Sequence, residues 1–417
     1  MEGPLQLNTV RYKKDSYIVV EGKHDANRFF IIQEGKVGIF KEVNVAKEEN
    51  NILKPGDFFS VISTMSSHSH IETAQALTDV VLIAVHREQY GSLIQKNSQV
   101  AMKIILQFSK RLRHLNETLA GITLKKTAEI GPAHFFEVAE YYLRHKQHRE
   151  AMYAYTRYLE AYPDGKNAQT AKERLAKLKT MTSTTGAGKE TKYSPNDMNR
   201  TYPKDTILFV EGEPGDELFI IQKGSVKISK IASNNEVLLA VLKAGDIFGE
   251  MALLEGKPRA ATAVAYEDCE VMVINRANFE YMIKTQPQLI AKVTTLLADR
   301  IWLIYKQLAN TVIADPVGRM YDSLLIQLEK NRVPLEGQRP YTFSFGQWEL
   351  ANMVGLPERE ASPALGKLFE NKKIELKDNK IHTTSVEEIV KQVESYRRME
   401  KRLDNIKKGQ AQAQGRT

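Results

Sequence analysis

The sequence predicts an α+β protein with two small antiparallel β-rolls of jelly-roll type, each closed by a long C-terminal helix. A helical insert lies between the rolls, and a winged helix-turn-helix follows the second. Three observations carry this expectation. A block of strand-like sequence occurs twice at a nearly constant spacing, apolar stripes of helical period accompany the blocks, and the last third alternates short helices with a two-stranded signature.

The chain has 417 residues, enough for about two to four domains that each bury a core. Apolar residues make up 42% and charged residues 26%, values that exclude wholesale disorder and fibrous repeats. A net charge of +8 is a modest bias toward an anionic partner, spread too thinly to form a basic footprint. Cys269 is the one cysteine, so no internal disulfide forms and a reducing compartment is expected. Within CEVMVI it reads as a buried strand thiol and not as a nucleophile. The stretch MEGPLQLNTVRYKKDS has no apolar signal core, and no run approaches the ~20 apolar residues of a membrane span, so a cytoplasmic protein without membrane contact is expected.

The repeat is direct. FFIIQEGKVGIFK (29–41) answers LFIIQKGSVKISK (218–230), and LKPGDFF (53–59) answers LKAGDIF (242–248). Gly35 and Gly224, Asp57 and Asp246, and Phe59 and Phe248 are each 189 positions apart, whereas VVEG (19–22) and FVEG (209–212) are 190 apart. One residue is therefore inserted in the intervening turn. Short β-branched and aromatic runs punctuated by Gly and Asp give each copy the pattern of an antiparallel roll. The expected divisions are a first roll with its helix at 1–125, an insert at 126–180, a linker at 181–200 and a second roll with its helix at 201–310. A winged helix at 311–385 and a terminal helix and tail at 386–417 complete the chain.

The long helix after the second roll, 287–310, sets Leu289, Val293, Leu296, Leu297, Ile301, Ile304 and Leu308 at spacings of three and four. Such a stripe needs a partner, and a homodimer through this helix is the expectation. In the insert, residues 133–179 read as helix, turn, helix, a Pro-Asp-Gly stop and a third helix. The aromatic and alanine spacing resembles a tetratricopeptide repeat of about 34 residues, which cannot bury its own face and must dock elsewhere, on this chain or on a protein partner. The linker's GAGKET is not a phosphate loop, because Ser183 and Glu190 occupy the places of the first glycine and of the Ser/Thr after the lysine.

The segment FGEMALLEGKPRAATA (248–263) holds the candidate site. Arg259 follows Pro258 in an apolar context, and a buried guanidinium without a partner costs several kcal/mol, about what an arriving anion can offset. Its planar fork suits phosphate oxygens, and a short helical turn from Gly249 aims backbone N–H groups at the same place. Glu250 only accepts hydrogen bonds, which fits a ligand offering a hydroxyl beside its phosphate, as ribose does. An internal Glu250–Arg259 ion pair holding a loop is the alternative.

The same segment resembles the phosphate-binding cassette of cyclic-nucleotide-binding domains. The resemblance implies that Arg259 holds the cyclic phosphate, that Glu250 accepts the ribose 2′-hydroxyl, and that Phe248, Gly249, Met251, Ala252, Ala260, Ala261 and Thr262 build the site. In that family an alanine after the arginine favours adenine, so Ala260 points to cyclic AMP as the ligand, with no further cofactor. Ile304 and Tyr305 fall where the family's helix caps the base, and core packing is the alternative role for Tyr305. In the first copy the same register reads Ser60, Val61 and His70 in place of Gly249, Glu250 and Arg259, so that copy is read as degenerate. His68 and His70 lack a clear third ligand for a metal. Nothing assembles a catalytic set, and no enzyme is expected.

The order DPVGRM, ELANMVG and LGKLFENKKIEL over 311–385 resembles the winged helix of the cyclic-AMP receptor protein family. Its reading helix, LPEREASPALGKLFE (356–370), sets Arg359 and Lys367 against Glu358, Glu360 and Glu370, a balance of −1 that opposes a polyanion. Ser362–Pro363 reads as N-cap and first helical residue, so the helix is expected to begin near Ser362. Lys372, Lys373 and Lys377 belong to a wing and tail with twelve basic and seven acidic residues, a surplus suited to DNA phosphates. Arg359 and Lys367 complete the candidate DNA contacts. A transcription regulator and a signalling adaptor that binds protein partners are the two competing outputs.

Overall fold

A computed structural model describes residues 7–41, 52–124, 131–182, 193, 197–232, 235–356 and 358–414. Most of the linker expected at 181–200, including GAGKET, lies outside the described residues.

The first roll is built from β1 (Asn8–Tyr12), β2 (Tyr17–Val19), β3 (Arg28–Glu34), β4 (Val37–Phe40), β5 (Ile52–Leu53) and β6 (Phe58–Phe59). After the short helix α1 (Val61–Ser66) come β7 (Thr73–Ala76), β8 (Val80–His86), α2 (Tyr90–Lys96) and the long α3 (Ser98–Leu124). Two four-stranded antiparallel sheets, β1-β8-β3-β6 and β2-β7-β4-β5, face each other. The insert is α4 (Pro132–Arg144), α5 (His148–Ala161) and α6 (Ala168–Thr182).

The second roll repeats the plan with β9 (Asn199–Tyr202), β10 (Ile207–Phe209), β11 (Glu217–Lys223), β12 (Ser225–Ala232), β13 (Asn235–Lys243) and β14 (Ile247–Phe248). Then follow α7 (Glu250–Glu255), β15 (Thr262–Ala265), β16 (Cys269–Asn275), α8 (Arg276–Thr285) and the long α9 (Pro287–Thr311). Its sheets run β14-β11-β16-β9 and β10-β15-β12-β13, the same order as in the first roll. β9 starts at Asn199 because Asn199 and Arg200 pair with Met272 and Val271 of β16, so the roll begins inside the stretch expected as linker.

The apolar stripe of α9, expected to seek a partner helix, is covered by α3 of the same chain. Helices α3 and α9 pack along each other, and Ile290, Val293, Leu297, Ile301 and Leu308 share one core with Ile104, Ile105, Phe108, Leu112 and Leu115. The first copy's own helix carries a matching stripe on the same polypeptide, so the two rolls pair as two halves of one molecule. Each long helix also crosses to the other half, α9 lying on α1 and α3 on α7. At the α9–α1 crossing the indole of Trp302 stacks on His68 with centroids 4.0 Å apart, and its Nε1 donates to the Ser69 carbonyl at 3.3 Å.

The last part holds α10 (Pro316–Lys330), β17 (Tyr341–Thr342), α11 (Gln347–Met353), α12 (Glu358–Phe369), β18 (Ile374–Lys377), β19 (Lys380–Thr383) and α13 (Val386–Gln414). Asp315 caps α10 by accepting from the N–H groups of Val317 and Gly318, with Pro316 at the first helical position. The reading helix α12 does not wait for Ser362. It runs from Glu358 with Pro363 inside it, which corrects the expected start. The cost is the one bond Pro363 cannot donate to Arg359, and burial of Ala361, Ala364, Leu365 and Leu368 on one face offsets it.

Among the described residues no helix is long and apolar enough to cross a membrane.

Candidate functional site

The β14–α7 turn places the cassette. Phe248 is buried and stacks on Phe219 with centroids 5.0 Å apart, which anchors the turn in the roll. Gly249 then takes a left-handed conformation, φ 75°, and a side chain there would strike the guanidinium of Arg259. Gly215, in the loop before β11, meets the same guanidinium and is small for the same reason.

Arg259 is 5% exposed. Its Nη1 donates to the carbonyl oxygens of Glu217 and Gly249, each at 2.7 Å, and its guanidinium lies 4.3 Å from the centroid of Phe209. Among the described residues no carboxylate hydrogen-bonds to it, and Nε is buried without a hydrogen-bond partner. Burial lowers its pKa, against the pull of Glu213 and Glu217. A guanidinium held this way by two carbonyls and by the rings of Phe209 and Phe219, the latter at 5.5 Å, is fixed in position, and nearby carboxylates act on it only through space.

Glu250 does not pair with Arg259. It is 1% exposed and accepts from Nη1 of Arg300 on α9 at 2.9 Å, so the internal Glu250–Arg259 bridge gives way to a link between cassette and long helix. Met251 and Ala252 are buried in the first turn of α7, and Ala260 and Ala261 are half-buried against the core and the roll interior. A cavity of about 560 Å³ at the rim is lined by Tyr162, Pro214, Gly215, Asp216, Gly256, Lys257 and Pro258.

Three expected site residues have partners within the chain. The Thr262 hydroxyl accepts from Glu211 N–H at 3.0 Å and from the Tyr142 hydroxyl of the insert at 3.4 Å, so it is joined to the insert. Ile304 is packed in the α3–α9 core. Tyr305 turns to the first roll, where Lys41 lies 4.4 Å from its ring centroid and Arg111 6.0 Å. Because α9 crosses to the other half, its residues near Tyr305 lie against the first roll.

The first roll keeps the frame and changes the chemistry. Gly22 N–H bonds to the His70 carbonyl at 2.8 Å and His70 N–H to the Lys23 carbonyl at 2.9 Å, the same ladder that Gly212, Arg259 and Glu213 form in the second roll. Ser60, left-handed at φ 65° like Gly249, gives its N–H to Glu72 Oε1 at 3.1 Å, and Arg111 approaches the other carboxylate oxygen at 3.5 Å. His70 lies 3.1 Å from both Ser60 Oγ and Asp25 Oδ1, and burial lowers its pKa against the pull of Asp25 and Glu72. A buried carboxylate of the chain thus occupies the N–H of Ser60, the residue in the place of Gly249 in the second roll.

All five candidate DNA contacts are exposed. Lys373 pairs with Glu388 and Lys377 with Glu375, each at 2.8 Å, which reduces the positive field of the wing. The residues that sequence reasoning missed are Arg300, Glu213 and the insert's Arg157 and Tyr153, all of which act over long separations. Cys269 is buried in β16 and its thiol is pushed up to about 11 by burial. Among the described residues no group of three or more His, Cys, Asp and Glu stands ready for a metal.

These rolls and cassette define a protein with two cyclic-nucleotide-binding domains, and the pattern of that domain matches residues 9–97 and 199–286. A cyclic AMP receptor protein of Thermus thermophilus is 30% identical over 172 residues, 41% of this chain and 76% of that protein. A CRP-like cAMP-activated global transcriptional regulator of Mycobacterium tuberculosis is 29% identical over 165 residues, 39% of this chain and 74% of that protein. The chain belongs to the cyclic AMP receptor protein family. A solved structure of a CooA variant from Carboxydothermus hydrogenoformans shares 20% identity over 48% of this chain and 87% of its own, with a TM-score of 0.39.

Proposed function

We propose that the protein is a cyclic-AMP sensor in which one nucleotide binds the second roll and alters the disposition of the winged helix. The observation that carries this reading is Arg259, a buried and immobilised guanidinium with no hydrogen-bonded carboxylate among the described residues, beside a buried carboxylate that accepts only. Arg259 holds the cyclic phosphate and Glu250 accepts the ribose hydroxyl. The first roll takes no nucleotide, because Glu72 already occupies the N–H of Ser60 and Val61 stands where the ribose acceptor would be.

The signal leaves through α9. Glu250 is joined to Arg300 on that helix, and Asn310 near its end donates to Asp322 Oδ2 of α10 at 3.0 Å. Asp322 in turn accepts from Arg397 of α13 at 2.7 Å. A ligand that draws on Glu250 biases the helix whose other end carries the output domain, which is a population shift between two dispositions.

The output is transcription regulation in line with the family. A second reading, a signalling adaptor that binds protein and not DNA, is favoured by one specific observation: the two paired rolls carry a single winged helix, whose reading helix has a balance of −1 and whose wing lysines are partly paired. Recovery of genomic DNA fragments on the purified protein at near-physiological salt, with and without cyclic AMP, separates the two. Ligand-dependent enrichment of a shared sequence that vanishes in Arg259→Ala supports the regulator. Absence of enrichment establishes the adaptor.

A further inference from the structure

The helical insert grips the chain on both sides of Arg259. On α5, Arg157 Nε donates to Glu213 Oε1 at 2.7 Å, and the Tyr153 hydroxyl donates to Glu213 Oε2 at 3.3 Å and to the Leu208 carbonyl at 3.1 Å. Glu213 is 4% exposed, and its backbone carbonyl accepts the N–H of Arg259 at 2.8 Å while Gly212 N–H bonds to the Arg259 carbonyl at 2.9 Å. One residue therefore joins the insert through its side chain to the phosphate arginine through its main chain. Three positions beyond that arginine, Thr262 accepts the Tyr142 hydroxyl of α4. Tyr162, at the end of α5, lines the rim cavity together with Gly215, Lys257 and Pro258.

The first roll supplies the internal comparison. It has the identical backbone ladder, but the residue in the place of Glu213 is the exposed Lys23. The carboxylate at this place is therefore not needed to build a roll, and in the second roll it is held by the insert.

We propose that the insert is a regulatory collar of the nucleotide site, with Arg157 and Tyr153 as positioning residues that keep the Glu213 carboxylate away from Arg259. The inference rests on the assignment of Arg259 to the cyclic phosphate. Glu213 is the carboxylate tied most directly to that arginine, since its own carbonyl accepts the Arg259 N–H at 2.8 Å, and its charge pulls on the guanidinium. With Arg157 in place the carboxylate is paired, and the guanidinium is left for the ligand. With the insert lifted, Glu213 keeps the Val210 N–H at 3.0 Å but loses its cation Arg157, and the charge left without that cation competes with the phosphate for Arg259. Linkage makes the effect reciprocal, so bound nucleotide tightens the docking of the insert and a partner that pulls the insert away expels nucleotide.

Titration of the full chain with cyclic AMP tests this. Arg157→Ala is expected to weaken binding by about 5- to 150-fold. Arg157→Lys restores part of the affinity, and Tyr153→Phe, which removes one hydroxyl, gives a smaller loss that stays measurable if Arg157→Ala folds poorly. Arg174→Ala, whose partner Glu140 at 3.4 Å lies within the insert, leaves affinity unchanged. The decisive variant is Arg157→Ala with Glu213→Gln, which removes the competing charge and regains affinity over Arg157→Ala alone. Unchanged affinity in Arg157→Ala, or no recovery in the double variant, overturns the proposal. Failure of the underlying assignment has a different signature, binding that is absent in the parent chain or equal in Arg259→Ala, and it removes this inference as well.

Discussion

Replacing Trp302 by alanine tests the pairing of the two rolls within one chain. The indole is 1% exposed, stacks on His68 at 4.0 Å with an interplanar angle of 20°, and donates to the Ser69 carbonyl at 3.3 Å. Removing a fully buried Trp side chain costs about 3–5 kcal/mol. The stack contributes about 0.5–1.5 kcal/mol of that, and the Nε1 bond about 0.5–1.5 kcal/mol. Such a loss is a large fraction of the ~5–15 kcal/mol that holds a typical domain. Urea unfolding followed by far-UV circular dichroism, with light scattering for mass, is the assay. The expected result is a variant of unchanged mass whose midpoint falls sharply, while Val312→Ala, at a site 51% exposed, stays within about 0.5 kcal/mol. A loss below about 1 kcal/mol for Trp302→Ala would refute the reasoning, because the α9–α1 crossing would then not be a core.

His70 has its folded pKa lowered by burial from an ordinary value of 6.5, against the opposing pull of Asp25 and Glu72 and with that of His24. The unfolded chain then binds the proton more readily, so the contribution is fully present above pH about 6.5 and is lost as pH falls through the lower folded value. Melting temperature measured across this range should fall with acid, and His70→Gln should flatten the dependence. Cys269, with its thiol raised to about 11, should resist a thiol-specific disulfide reagent at pH 8 in the folded protein and react on unfolding. Arg300→Ala strips the Glu250 carboxylate of the guanidinium that bonds it and should lower stability by roughly 1.5–3 kcal/mol in the same urea assay.

The repeat made the rolls legible, because Gly35 with Gly224 and Asp57 with Asp246 mark turns whose backbone needs are local. Arg259 was legible for a related reason, since an arginine in a small apolar segment demands an anion wherever it is buried. The stripe on α9 showed that the helix needs a partner, but periodicity carries no identity, and the partner was α3 of the same chain. The internal Glu250–Arg259 pair weighed as the alternative does not form, and the cation of Glu250 comes from Arg300, 50 positions away. The surroundings of Tyr305 were hidden for the same topological reason, since a helix that crosses to the other half presents its residues there. Pro363 followed a local rule that tertiary burial overrode. Arg157 and Glu213, 56 apart, carry no joint signal in the sequence.

Calorimetric titration of cyclic AMP into the parent chain and into Arg259→Ala addresses the central claim most directly. The account predicts one nucleotide per chain, bound in the second roll and lost with the Arg259 guanidinium. Two nucleotides per chain, or binding that survives Arg259→Ala, would contradict it.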